Sequence, residues 1–306
     1  MDRGGLPRAP VTGPAALLVV GDVVTDVVAR HRKPLSAATD TPARIRTLPG
    51  GAGANVACWA ARSGWADVRL LGRVGTDSAA WHERELRRAG VRPLLALDPD
   101  APTAAVIALV GPDAERTFLT DSGASLRLAP EDWSPALLDG VARVHLSGYL
   151  FFSGPSRETA GLVLRDARAA GVPVSVDPAS AGFLTELGPE RFLSAADGAQ
   201  CLLPNADEAR LLTGRASPDE AAAALSRRFP LVAVTLGAEG AVLAAEGRVT
   251  ARVTAPPVRP LDSTGAGDAF TGAFLAALLT GADPVSAAGS GCRAGAEAVT
   301  RVGGRP

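Results

Sequence analysis

The chain has 306 residues, 47% of them hydrophobic, with 31 basic and 32 acidic side chains and a net charge of −1. That length and apolar content suffice for one large domain or two modest ones with a sizeable core, and they exclude a disordered chain. The balanced charge excludes the clustered positive excess of a nucleic-acid or membrane-surface binder.

In chain order, residues 1–14 are rich in Pro, Gly and Arg and read as a flexible tail. No signal-peptide pattern is present there. Ala16–Val20 predicts a buried strand ending at Gly21 and Asp22. Residues 31–49 are more polar and proline-bearing, and either extended pieces or a loop would fit them. Gly50-Gly51-Ala52-Gly53 breaks the chain and opens a helix over Asn55–Arg62. Val68–Leu71 predicts a strand, and roughly 78–89 a helix with Leu86 and Ala89 on one face. Thr103–Val110 and Arg116–Thr120 predict a hairpin around Gly111-Pro112-Asp113.

From Val141 the pattern becomes regular. Strands at Val144–Leu146, Pro173–Val176, Cys201–Leu203 and Leu231–Leu236 alternate with helices at about 156–170, a short helix, Ala206–Leu212 and Pro218–Arg228. A hairpin at 241–253 and helices at about 266–279 and 284–299 follow. The alternation predicts a mostly parallel sheet covered on both faces, in one domain over 15–306. Its interruptions predict a small β lid from about 31–49 and 92–121. The longest apolar helix candidate, Ala269–Leu279, is short of the ~20 residues that span a bilayer. The three scattered cysteines, Cys58, Cys201 and Cys292, fit a reducing cytoplasm and give neither a disulfide framework nor a zinc spacing.

The chemistry concentrates in Asp262-Ser263-Thr264-Gly265-Ala266-Gly267-Asp268, a Gly-rich turn running into an apolar helix. The first amides of such a helix have no intrahelical partner, and the dipole adds partial positive charge. The junction is an anion cradle suited to a phosphate or to charge developing in its transfer. Asp268, in the first turn, is placed to take a proton from an attacking hydroxyl. It could equally be an ordinary helix cap. A P-loop is excluded, because Lys33 is the only lysine and stands in no such context. The dinucleotide fingerprint is absent after the first strand.

Gly50-Gly51-Ala52-Gly53-Ala54-Asn55 and Asp262–Asp268 resemble the two signatures of the ribokinase-like (PfkB) carbohydrate kinases. Gly72–Asp77, Pro204–Glu208 and Val234–Gly240 are similar to further family segments, in the same order. The resemblance implies a ribokinase-like, Rossmann-type αβα sandwich with a small β-sheet lid. It implies transfer of the ATP γ-phosphate, with Mg²⁺, to a hydroxyl of a sugar or sugar derivative. It assigns Asp268 as the base and the amides of Gly265, Ala266 and Gly267 as the anion hole. Asn205 and Glu208 fall near the phosphates and Mg²⁺, Glu208 through water. Thr235, Gly237 and Gly240 fall beside the nucleotide, and Asp22, Asp26, Gly50, Gly51 and Asn55 beside the acceptor. Asp262, Thr264, Ala298, Arg301 and Gly303 match a K⁺-type monovalent cation site. The resemblance also implies a homodimer through the β lid.

Local chemistry is compatible with these roles. Asn205 and Glu208 share a helix face, and also form a near-pattern for a capping box. Asp22 and Asp26 follow a strand's C-terminal end, where open α/β sheets bind ligands. The chain departs from ribokinases proper at Ala52, Ser125 and Cys292, which argues against ribose itself as the acceptor. A nucleoside kinase, or a non-catalytic sugar-binding protein on the same fold, are the rival readings. Phe118 is the aromatic in the lid segments, which tilts the expectation to a free sugar. Arg116 and Tyr149 are further candidates to reach the acceptor.

Overall fold

The computed structural model describes residues 15–111 and 116–306; the predicted tail at 1–14 and the hairpin tip at 112–115 lie outside them, as does the side chain of Arg116. The strands are β1 (Ala16–Val20), β2 (Val24–His31), β3 (Ala43–Gly50), β4 (Val68–Gly75), β5 (Val91–Asp98), β6 (Ala104–Val110), β7 (Arg116–Asp121), β8 (Val141–Ser147), β9 (Val174–Asp177), β10 (Cys201–Leu202), β11 (Leu231–Thr235), β12 (Ala241–Ala245) and β13 (Arg248–Val253). The helices are α1 (Ala52–Arg62), α2 (Ala79–Arg88), α3 (Gly154–Ala169), α4 (Ala181–Leu187), α5 (Pro189–Ala195), α6 (Ala206–Thr213), α7 (Pro218–Leu225), α8 (Ala266–Leu279) and α9 (Pro284–Ala298).

Among the described residues, the large sheet has nine strands in the order β13-β12-β11-β10-β9-β8-β1-β4-β5. It is parallel from β11 to β5, and β12 and β13 close one edge antiparallel. β1 is buried on both faces, which is why it reads as an unbroken apolar run rather than an alternation. Leu18 and Val20 join a core with α3 and α7, while Leu17 and Val19 face α1, α8 and α9. The strand order reverses between β1 and β8, so their C-terminal ends open a crevice of the kind in which such sheets bind ligands.

A second sheet, ordered β3-β2-β6-β7, stands over that crevice. It corrects the expected lid boundaries in two places. Residues 24–31 form a strand that the sequence reading missed, and β2 is the strand on which Asp26 sits. Residues 91–98 are not lid: β5 pairs parallel with β4 at the edge of the large sheet. An edge position tolerates Pro93, which lacks the N–H that a central strand would need. The helix expected from Asn55 begins three residues earlier, at Ala52.

α1 and α8 pack face to face, and their N-termini carry Asn55 and Asp268 to the same place. Gly272 makes this approach possible. A Cβ there would lie 2.5 Å from the Val56 carbonyl oxygen and 2.8 Å from both the Ala60 nitrogen and Trp59 Cβ. In an open helix Gly→Ala is stabilising by roughly 1 kcal/mol. Here we expect Gly272→Ala to lower unfolding stability by roughly 1 kcal/mol or more, because the backbone of α1 must move away; equilibrium denaturation measures it.

Candidate active site

Both helix N-termini open on a cavity of about 510 Å³ between the two sheets. Each begins at a glycine with positive φ: Gly51 (96°) before α1 and Gly265 (74°) before α8. Their electrostatic fates differ. The Asp22 carboxylate caps α1 from the end of β1, accepting from Ala52 N at 2.7 Å and Gly53 N at 3.1 Å. Ser147 Oγ, at the end of β8, donates to the same carboxylate at 2.8 Å. The N-cap residue of α8, Gly265, has no side chain with which to cap it, and Ser263, Thr264, Gly265, Ala266 and Gly267 line the cavity. The positive end of α8 therefore faces the cavity, ready for an anion.

Asp268 sits in the first turn of α8 and accepts a hydrogen bond from Asn55 Nδ2 at 2.8 Å. Burial pushes its carboxyl well above the usual range; the Asn55 bond opposes this, and Asp177, Asp22 and Asp26 reinforce it. A carboxylate with raised proton affinity is a better base near neutral pH. Asn55 is buried and lines the cavity, and its Oδ1 has no partner among the described residues.

Asp26 enters from the lid. Burial raises its pKa to about 6, against the pull of the Arg305 guanidinium, with Asp22 and Asp262 adding to the rise. Gly50 has no Cβ because the Asp26 carboxylate occupies that space. The sheet register puts Val24, Asp26, Ala104, Val106, Phe118 and Thr120 on the lid face that lines the cavity. Opposite them, Tyr149 makes edge contacts with Phe183 (centroids 5.7 Å) and Phe152 (6.0 Å), forming an aromatic wall. Tyr149 and Phe183 reach the cavity, so its walls are more aromatic than Phe118 alone suggested.

On the far side, Asn205 Oδ1 accepts from Glu208 N and Glu208 Oε2 from Asn205 N, both at 2.9 Å. This is a completed capping box. It leaves Glu208 buried beside Asp177, and burial followed by mutual repulsion raises the Glu208 pKa. Burial likewise raises that of Asp177. Two desolvated carboxylates with raised proton affinity are a donor set that a divalent cation would neutralise. The sequence reading missed Asp177, although it ends β9 just as Asp22 follows β1.

Thr235 lines the cavity next to Asn205, whereas Gly237 and Gly240 lie outside its walls in the β11–β12 turn. Gly240, at φ 103°, has no room for a side chain against the Val253 carbonyl. Asp262 binds two loops together: Oδ1 accepts from Thr264 N at 2.8 Å and Oδ2 from Gly303 N at 3.2 Å. The Ala298 carbonyl accepts from Arg301 N at 3.1 Å, and the Arg301 guanidinium reaches Glu297.

Residues 15–306 match the pfkB family of carbohydrate kinases. The chain belongs to that family. It is 33% identical over 279 residues to a fructokinase of Escherichia coli, covering 87% of this chain and 84% of that one. The aminoimidazole riboside kinase of Salmonella enterica, solved with aminoimidazole riboside and an ATP analog, superposes with a TM-score of 0.78 at 28% identity, covering 94% and 95% of the two chains. An Escherichia coli protein described as a putative ribokinase II, in complex with ATP and Mg²⁺, shares the fold at 22% identity with a TM-score of 0.84, covering 95% and 94%. The fold is ribokinase-like, and the protein is an ATP-dependent carbohydrate kinase. Among the described residues no helix is long and apolar enough to cross a membrane.

Asp22, expected beside the acceptor, lines the cavity and also caps α1. We expect Asp22→Ala to cost at least about 1 kcal/mol of stability through loss of this cap, read by chemical denaturation.

Proposed function

We propose that this cavity moves the γ-phosphoryl group of ATP to a hydroxyl of a sugar or sugar derivative, with Asp268 as general base. The observation that carries the reading is the glycine-initiated N-terminus of α8, open on the cavity beside a carboxyl group of raised proton affinity. The acceptor oxygen forms a bond to the γ-phosphorus while the bond from that phosphorus to the β–γ bridging oxygen breaks. The hydroxyl proton passes to Asp268, and ADP leaves. The amides of Gly265, Ala266 and Gly267 stabilise charge on the transferring group. Asn55 holds Asp268 through their hydrogen bond and offers its free Oδ1 to the acceptor. Asp26, with the Gly50–Gly51 turn behind it, accepts hydrogen bonds from acceptor hydroxyls.

Asn205 and Thr235 support the nucleotide side, with Gly237 and Gly240 shaping the adjoining turn. Glu208 and Asp177 would hold Mg²⁺, Glu208 through water, and the ion supplies charge neutralisation at the phosphates. The loops tied by Asp262, with the carbonyls of Thr264, Ala298, Arg301 and Gly303, offer an all-oxygen set suited to a monovalent cation such as K⁺ at the edge of the anion hole. An acceptor whose sugar bears a planar ring, as in a nucleoside, is a second reading. Phe118, Tyr149 and Phe183 on the cavity walls favour it, since aromatic faces stack on such rings.

An ADP-release screen over pentoses, hexoses, keto-sugar acids and nucleosides, with and without K⁺, tests the reading. Asp268→Asn should lose about 10²–10⁴-fold in turnover with the active acceptor while retaining ATP binding. Its thermal stability should not fall, because an amide replaces a carboxyl that is costly to ionise there. Turnover near wild type would overturn the assignment of the base.

The outer lid face, opposite the one bearing Asp26, carries Ile107 directly across from Leu119 and Ile45 two residues further along, at 38%, 55% and 65% exposure. An exposed apolar sheet face of this kind supports pairing of two lids in a homodimer. Light scattering should give twice the chain mass, and Leu119→Glu should lower it to one; a wild-type monomer would refute the pairing.

A further inference from the structure

The segment Gly303–Arg305 crosses the back of the site and touches four of its parts. Gly303 N donates to the Asp262 carboxylate at the turn before α8. The Gly304 carbonyl accepts from Trp59 Nε1 of α1 at 2.9 Å. Gly304 is wedged between Asn55 and Gly265 so closely that neither glycine has room for a Cβ. Arg305 Nη2 then donates to the Gly50 carbonyl at 3.0 Å, at the turn between lid and α1.

Arg305 is not where a fold contact alone would put a cation. Its Nε and Nη1 are buried without a partner among the described residues. A guanidinium desolvated on those terms is costly unless its charge is used. The charge lies within electrostatic range of Asp26, whose carboxylate rests against the Gly50 backbone that Arg305 holds. The chain thus runs from Arg305 through Gly50 to the acceptor-facing carboxylate, without Arg305 itself lining the cavity.

We propose that Arg305 is a positioning residue for the acceptor, anchoring the Gly50 turn and holding Asp26 in place to bind acceptor hydroxyls. The proposal rests on the acceptor-site reading above. It assigns a share of acceptor affinity to a residue 255 positions from the glycine it holds, while ATP binding and the base are left to other groups.

The test is steady-state kinetics of Arg305→Gln and Arg305→Lys, using the strongest acceptor from the ADP-release screen with D-fructose as a fixed reference. Arg305→Gln should raise the acceptor KM at least about tenfold, the scale of a lost hydrogen bond to a charged group. The KM for ATP and kcat should stay within about threefold of wild type. Arg305→Lys, which keeps the charge and can reach one carbonyl, should recover part of the acceptor affinity. If Arg305→Gln shows no cooperative thermal transition, Arg305→Lys decides alone, by a raised acceptor KM at unchanged ATP KM. Wild-type acceptor KM in the folded variants overturns the inference, as does a uniform loss in kcat and both KM values. An inactive Asp268→Asn beside a wild-type Arg305→Gln rejects this inference only. Turnover by Asp268→Asn rejects the reading beneath it.

Discussion

Six carboxyl groups, those of Asp22, Asp26, Asp121, Asp177, Glu208 and Asp268, line one cavity, and no described lining side chain is cationic. Everything else in the site follows from how that crowding is tolerated. Asp22 is satisfied by the amides of α1 and by Ser147. Asp268, Asp177, Glu208 and Asp26 instead hold their protons more tightly than free carboxyls do. What remains to offset their charge is the open end of α8, the Arg305 guanidinium behind Asp26 and whatever cations accompany a nucleotide. A cavity of this polarity is poorly balanced when empty and better balanced when a metal–nucleotide complex lies in it.

The two glycine-initiated helices divide the labour. α1 and α8 both point positive ends at the cavity, but α1 is neutralised by the protein's own carboxylate. On the proposed reading the anion site is thereby confined to one helix end, beside Asp268. Close packing through Gly272 fixes the distance between the helices, and Asn55 converts that packing into a hydrogen bond on Asp268. The backbone chemistry of glycine and the placement of a carboxylate are parts of one device here.

Much of this was legible in the sequence because it is local. The Gly-rich turn before α8, the break at 50–53 and the Asn205–Glu208 pair each announce themselves within a few residues. β2 was not legible: Val24-Thr25-Asp26-Val27-Val28 lacks a clean alternation, because both of its faces are partly covered. β5 was drawn into the lid because Arg92 and Pro93 open it, and an edge strand can carry both. The aromatic wall, the pairing of Asp177 with Glu208 and the reach of Arg305 to Gly50 join residues far apart in the chain. No local pattern encodes them.

The acidic lining also bears on how a catalytic cycle would end. A neutral polyol enters this cavity without electrostatic penalty, but its phosphorylated form carries close to two negative charges. Once the departing nucleotide takes its cations with it, that ester faces Asp26, Asp177 and Glu208, with the amides of α8 to hold it. On the proposed reading the acidic walls that admit a neutral substrate repel its phosphorylated product, so the charge of the cavity favours product release.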